Sequence, residues 1–96
     1  MITLECLRGR RTELLALAKN YKAENVRVFG SVARGEETEA SDVDLLVHFR
    51  PGASLFDQIG LMEEAAQLVQ TRVDVVSDEA LSPYLARRIL NEAIPL

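Results

Sequence analysis

The run Val43–Phe49 (VDLLVHF) constrains the fold most, because it predicts a strand with clear limits in the middle of the chain. Its apolar, β-branched and aromatic residues favour extended structure, and the Pro51-Gly52 pair after it breaks regular structure. Two aspartates, Asp42 and Asp44, enter this strand two positions apart. Because side chains alternate along a strand, both carboxylates point to the same face of any sheet that contains it.

The segments around this strand predict the other elements of a small α/β fold. They are a helix at 3–21, weakened by Gly9; a strand at 26–29; a helical turn at 31–34 closed by Gly35; a loop at 36–41; a helix at 54–70; a strand at 72–76; and a last helix opened by Ser82-Pro83. This order, α-β-turn-β-α-β-α, predicts helices packed on a small sheet. We expect one domain, residues 1–96, because separate cores need about 100 residues each.

Hydrophobic periodicity predicts which helix faces are buried. In the helix that Ser54 caps, apolar residues at steps of three and four predict a core-facing stripe of Leu55, Ile59, Met62, Ala66 and Val69. In the last helix, the predicted buried face is Leu85, Ile89, Leu90 and Ala93. We interpret His48 as a structural side chain, Cys6 as a packing residue, and Asp78 and Glu79 as surface residues.

Composition narrows the class of protein. The chain is 48% hydrophobic and 27% charged, which is typical of a globular domain and excludes wholly disordered or collagen-like proteins. No apolar run approaches the roughly 18 residues of a membrane span, and the N-terminal residues show no secretory pattern. With 11 basic and 15 acidic residues the net charge is −4, so we expect no direct binding to nucleic acid. The single cysteine excludes an internal disulfide and favours a cytoplasmic location.

A third aspartate occupies an unusual position. Asp74 lies among valines in a predicted strand, although aspartate is depleted in strands and a buried, unpaired carboxylate is costly. A bound cation would offset this cost. Carboxylates together with water or phosphate oxygens match the ligand preference of Mg²⁺. Two such ions roughly 3.5–4 Å apart can hold both the attacking and the leaving oxygen of a phosphoryl displacement.

A glycine-serine turn precedes the aspartate pair and predicts a phosphate site. Gly30 lets backbone N–H groups approach a phosphate closely, Ser31 offers a hydroxyl at the start of a helical turn, and Arg34 can add a bidentate contact. The turn and the strand after it therefore combine phosphate donors with metal ligands.

This chemistry predicts the directions of the strands. If the turn at Gly30 and the pair Asp42 and Asp44 touch one triphosphate, the first and second strands run antiparallel. If Asp44 and Asp74 share a metal, the second and third strands run parallel, with the helix at 54–70 as the crossover. The sequence therefore predicts a mixed sheet with the site at one end.

Residues 29–47 (FGSVARGEETEASDVDLLV) resemble the signature of the nucleotidyltransferases related to DNA polymerase β. That signature is Gly-Ser, a spacer, Asp-x-Asp in a hydrophobic strand, and a third aspartate in a later strand. It is matched by Gly30, Ser31, Asp42, Asp44 and Asp74. In particular the chain resembles the minimal nucleotidyltransferases, which are about this short, and the likeness extends over nearly the whole chain.

The resemblance implies a polymerase-β-like nucleotidyltransferase fold and an enzyme that transfers a nucleoside monophosphate from a nucleoside triphosphate to an acceptor hydroxyl, releasing pyrophosphate. By the same resemblance, Gly30 and Ser31 hold the β- and γ-phosphates, and Asp42 and Asp44 bind both Mg²⁺ ions. Asp74 would bind the catalytic ion and help to deprotonate the acceptor.

The resemblance also implies a partner. Minimal nucleotidyltransferases of bacteria and archaea are often antitoxins of a HEPN-domain toxin, an RNase-like helical protein, and some adenylylate a tyrosine of that toxin. We therefore expect a Mg²⁺-dependent protein adenylyltransferase that uses ATP and forms a hetero-oligomer with a HEPN toxin. The alternative is an antitoxin that acts by binding alone. A small-molecule nucleotidyltransferase ranks lower, because no sequence feature supplies a dedicated acceptor pocket.

Overall fold

Five helices and four strands make up the chain in the computed structural model, which describes all 96 residues. The helices are α1 (Leu4–Gly9), α2 (Arg11–Asn20), α3 (Gly30–Arg34), α4 (Leu55–Val69) and α5 (Pro83–Glu92). The strands are β1 (Ala23–Phe29), β2 (Val43–Phe49), β3 (Val73–Ser77) and β4 (Ile94–Pro95). None of the helices combines the length and the apolar character that a membrane crossing requires.

The strands form one mixed sheet in the order β3-β2-β1-β4. β1 and β2 are antiparallel, and Phe29 lies opposite Asp44. β2 and β3 are parallel, and Asp44 lies beside Asp74, with α4 as the crossover between them. The predicted α/β class and mixed sheet are therefore confirmed. The end of β1 and the beginnings of β2 and β3 meet at one end of the sheet.

The core lies on one face of this sheet, under α1, α2 and α4. Alternate residues of β2 and β3 point to this face, and the helices cover them with Leu7, Leu14, Ala18, Leu61 and Ala65. Leu46 points to the opposite face, where it is also fully buried. Residues after β3 contact that second face, since Asp78 bonds Arg27 and His48.

The sequence does not predict β4, which returns the chain to the free edge of β1. Ile94 pairs with Val28 in antiparallel register. The Leu96 N–H donates to the Val26 carbonyl at 2.9 Å, and the Leu96 side chain is buried. A strand of two residues is too short to show alternation, so no pattern marks it. Its effect is to anchor the end of α5 against the sheet.

The single helix predicted at 3–21 is wrong, because α1 and α2 are separate helices. Arg10 lies between them with φ −111° and ψ 17°, outside the helical region. Gly9 is a poor helix former and immediately precedes this break. Cys6 is exposed on α1, so its interpretation as a packing residue is also wrong.

The predicted buried faces of α4 and α5 are wrong in part. In α4 the buried residues are Leu61 and Ala65, whereas Leu55 is 67% exposed. Apolar residues occupy most of the circumference of α4, so periodicity alone does not select the face that packs. α5 has no buried residue: Leu85 and Leu90 are about half exposed, whereas Ala86 and Ile89 are partly buried.

Candidate active site

The three aspartates predicted from the sequence lie together at the end of the sheet where β2 and β3 begin. Asp44 and Asp74 are register partners in the parallel pair, and partners in neighbouring strands point to the same face. Asp42 precedes Asp44 by two residues, immediately before β2. Asp44 is half-buried, whereas Asp74 is exposed at the edge strand. The arrangement sets three carboxylates side by side, one sheltered and one open to solvent.

Burial and the neighbouring acids both act on the carboxyl group of Asp44. The pKa of Asp44 rises from 3.8 to about 6, first because burial removes the carboxylate from water, and then because Asp74 and Asp42 add negative charge. Asp42 has one cationic neighbour, since the Arg72 Nε donates to Asp42 Oδ1 at 3.0 Å. Both of these side chains are solvent-exposed, and an exposed ion pair contributes little stability. A divalent cation between the carboxylates would offset this repulsion.

Gly30 brings the backbone of the turn against Asp44. Its φ is +77°, in the left-handed region that favours glycine, and a Cβ at this position would lie 2.2 Å from Asp44 Oδ2. The backbone conformation and the space next to the carboxylate each require glycine. The turn predicted to bind a phosphate therefore lies directly against one of the three predicted metal ligands.

The helical turn predicted after Gly30 is confirmed as α3. Val32 is buried and fixes the turn to the core. Gly35 closes it in left-handed conformation at φ +72°, and its N–H donates to the Ser31 and Val32 carbonyls. Ser31 lies half-buried in the first turn, next to Gly30, although it comes eleven residues before Asp42 in the sequence.

Arg34 lies at the same turn, where it is already paired with carboxylates. Its Nε donates to Glu36 Oε1 at 2.8 Å, and its Nη1 donates to Glu92 Oε2 at 3.0 Å. Glu92 Oε2 also accepts the Gly30 N–H at 2.6 Å. The contacts of Glu92 were missed by sequence reasoning, and no motif could have revealed them, because 62 residues separate Glu92 from Gly30.

A second group of polar residues lies at the opposite end of β2. His48 Nδ1 is 3.1 Å from Asp78 Oδ1 and 3.5 Å from Glu79 Oε1, and the three possible ligand atoms lie within 4.8 Å of one another. The interpretation of Asp78 as a surface residue is wrong, because its half-buried carboxylate also accepts a hydrogen bond from Arg27 Nη2 at 2.9 Å. The hydrogen bond to Asp78 raises the pKa of His48. These contacts join the chain after β3 to the second face of the sheet and agree with a structural histidine.

A groove of about 320 Å³ lies between α4 and β3, beside two of the three aspartates. Asp42 and Asp74 lie at its rim, and Met62, Ala66 and Val73 form much of its apolar lining. Two larger depressions, of about 460 and 470 Å³, lie by the helices and contain none of the three aspartates. The groove therefore offers an open approach to Asp74 from the edge of the sheet.

Residues 11–96 match the family of nucleotidyltransferase domains. The protein adenylyltransferase MntA of Thermococcus cleftensis is 37% identical over 95 residues, which cover 98% of this chain and 96% of that protein. A solved chain described as a minimal nucleotidyltransferase superposes with a TM-score of 0.88 at 49% identity, covering 99% of this chain and 97% of the other.

Two solved toxin–antitoxin structures share the fold at lower sequence identity. A toxin–antitoxin with AMP-PNP gives a TM-score of 0.75 at 20% identity, covering 88% of this chain and 69% of the other. The toxin–antitoxin MntA-HepT gives a TM-score of 0.68 at 17% identity, covering 91% of this chain and 68% of the other.

Proposed function

The chain belongs to the nucleotidyltransferase family and is an enzyme of that class, and from this premise we propose that it transfers AMP from ATP to a hydroxyl group of a partner protein. The observation that carries the proposal is the register of β2 and β3, which sets Asp44 beside Asp74, with Gly30 directly against Asp44. The Thermococcus cleftensis relative, described as a protein adenylyltransferase, supports both the AMP group and the protein acceptor.

Each group at this end of the sheet has a role that suits its chemistry. The Gly30 N–H, the Ser31 hydroxyl and the Arg34 guanidinium are donors for the terminal phosphates of ATP. Asp42, Asp44 and Asp74 are oxygen ligands suited to two Mg²⁺ ions. When bound, these ions neutralise charge on the phosphates and on the carboxylates.

The transfer then proceeds as one displacement at phosphorus. The acceptor hydroxyl oxygen forms a bond to the α-phosphorus while the bond from that phosphorus to the bridging oxygen breaks, and pyrophosphate leaves. The hydroxyl proton passes to Asp74, which is exposed and borders the groove along β3. Asp44 is half-buried and packs against Gly30, so its position is fixed. This rigid contact would hold the nucleotide at a constant distance from the acceptor hydroxyl.

We place the acceptor on a HEPN-domain toxin, specifically on a tyrosine hydroxyl, with this chain as the antitoxin in a hetero-oligomer. The solved pair MntA-HepT has an antitoxin of this fold, and the structure with AMP-PNP contains an ATP analogue. The site suits an acceptor delivered by another protein, since Asp74 is exposed on an edge strand and borders the groove.

The test is to incubate the purified chain with ATP, Mg²⁺ and its HEPN-domain partner and to measure the mass of the partner. We expect the partner to gain AMP on a tyrosine. The double variant Asp42→Asn/Asp44→Asn should abolish the gain, whereas Glu79→Gln, which removes an exposed carboxylate at the other end of β2, should not. No mass gain despite demonstrated binding of Mg-ATP would contradict the transfer. If the double variant still neutralised the partner, binding alone would explain neutralisation.

A further inference from the structure

The carboxylate of Glu92 occupies the donors of the glycine turn. Its Oε2 accepts the Gly30 N–H at 2.6 Å and the Arg34 Nη1–H at 3.0 Å, and its Oε1 lies 3.3 Å from the same Nη1. The side chain is only 17% exposed, although it comes from the last turn of α5. Glu92 thus places a negative charge beside the aspartate cluster, where it adds to the charge that raises the pKa of Asp44.

The negative charge of Glu92 is unfavourable beside the aspartates, but its carboxylate occupies the donors that a bound anion would use. A carboxylate and a phosphate present similar oxygens to N–H donors, and both form charge-assisted hydrogen bonds. The Gly30 N–H carries one hydrogen, so it cannot serve Glu92 and a nucleotide phosphate at full strength together.

We propose that Glu92 is an internal competitor for the terminal phosphates of ATP, and that the nucleotide binds by displacing its carboxylate from Gly30 and Arg34. The inference rests on the proposed function and adds a residue that sets nucleotide affinity and selects for triphosphates. An AMP molecule, which lacks the β- and γ-phosphates, has nothing with which to displace the carboxylate.

The surroundings of Glu92 allow this exchange without unfolding. Pairing of β4 with β1 fixes the backbone after α5, so the side chain alone has to rotate. Arg88 lies one turn earlier, with its Nε 3.8 Å from Glu92 Oε1, and can receive the displaced carboxylate. Arg34 keeps its contact with Glu36 and turns its Nη1 to the phosphate.

The test compares Glu92→Gln with Glu36→Gln as a matched control. Glu36 also pairs with Arg34, at 2.8 Å, but it is 61% exposed and does not contact Gly30. Titration with Mg-ATP, followed by calorimetry, should show that Glu92→Gln binds about tenfold more tightly than wild type, because the competing side chain loses its negative charge. Glu36→Gln should stay within about twofold. Glu92→Asp, whose shorter side chain cannot span both donors, should bind more tightly by a smaller factor.

Titration with AMP separates competition from a general change in the site. Competition predicts that Glu92→Gln leaves the affinity for AMP almost unchanged, whereas a rearranged turn would change the affinities for AMP and ATP alike. Equal or weaker binding of Mg-ATP by Glu92→Gln, with wild type binding normally, would overturn the competitor role and leave the proposed function standing. Failure of both proteins to bind Mg-ATP would overturn the proposed function and the competitor role together.

Discussion

At the scale of single residues, Gly30 matters both for the backbone conformation of the turn and for the position of the Asp44 carboxylate. We expect Gly30→Ala to lower the free energy of unfolding by about 2 kcal/mol or more, because φ is +77° and the added Cβ meets Asp44 Oδ2. It should also abolish transfer of AMP, since Asp44 has to move. Chemical denaturation and the transfer assay measure the two effects.

Gly35→Ala is the matched control for Gly30→Ala. Gly35 has a nearly identical φ of +72°, but an added Cβ would meet no atom within 4 Å. We expect a cost of about 1 kcal/mol from the backbone alone and retained transfer. If Gly35→Ala abolished transfer as fully as Gly30→Ala, contact with Asp44 would not be the reason that glycine is needed at position 30.

Asp44 makes stability depend on pH in a direction opposite to that of most carboxylates. Its pKa is raised from 3.8 to about 6, so between these values the folded chain binds more protons than the unfolded chain. The contribution of Asp44 to stability is therefore fully present below about pH 4 and is lost as the pH rises through 6. In EDTA at pH 7.5, the free energy of unfolding of Asp44→Asn should exceed that of wild type by about 1–2 kcal/mol, after allowance for solvent screening. Near pH 4 the two free energies should be equal. Wild type more stable than Asp44→Asn at pH 7.5 would contradict this assignment.

The residues of the candidate site could be proposed from sequence where their positions follow from local geometry. Asp42 and Asp44 share a strand, and alternation alone sets them on one face. Asp74 was an anomaly within a valine run, and its pairing with Asp44 follows once the strands are parallel. Glu92 could not be found in this way, because its approach to Gly30 depends on where the last helix ends, which no local pattern specifies.

At the scale of elements, α5 is held by the short strand β4 and the C-terminal residue more than by its own face. We expect Leu96→Ala to lower the free energy of unfolding by about 2 kcal/mol, because Leu96 is 8% exposed and packs in the core next to β4. Leu90→Ala, the control, should cost less than about 0.5 kcal/mol, because Leu90 is 49% exposed. Thermal or chemical unfolding of the two variants and wild type measures both differences in free energy. A larger loss at Leu90 than at Leu96 would mean that the outer face of α5 carries the packing.

The directions of the strands were predictable because the chemistry leaves few choices, whereas the faces of the helices were not. The glycine turn follows the end of β1 and the aspartate pair lies at the beginning of β2, so contact of both with one triphosphate requires antiparallel strands, as β1 and β2 are. In α4 the periodicity predicted Leu55 in the core, whereas packing on the sheet buries Leu61. β1 begins at Ala23, earlier than predicted, because the chain pairs with β2 across an irregularity near Asn25 that breaks the alternation.

At the scale of the whole molecule, the sheet separates two polar clusters by the length of β2. Asp42, Asp44 and Asp74 lie at one end with a net negative charge, whereas Arg27 offsets the acids around His48 at the other. Addition of Mg²⁺ at neutral pH should therefore raise the unfolding temperature of wild type by binding the folded chain. Asp42→Asn/Asp44→Asn should show little of this increase. An equal increase in the double variant would place the metal elsewhere.

The most direct test of the proposed site is an anomalous diffraction experiment on crystals of the chain with Mn²⁺ and a non-hydrolysable ATP analogue. Mn²⁺ replaces Mg²⁺ at oxygen-rich sites and its position is visible from anomalous scattering. We predict manganese peaks within bonding distance of Asp42, Asp44 and Asp74, with the triphosphate at Gly30 and Arg34 in place of the Glu92 carboxylate. Manganese confined to His48, Asp78 and Glu79, with no metal at the three aspartates, would contradict this prediction.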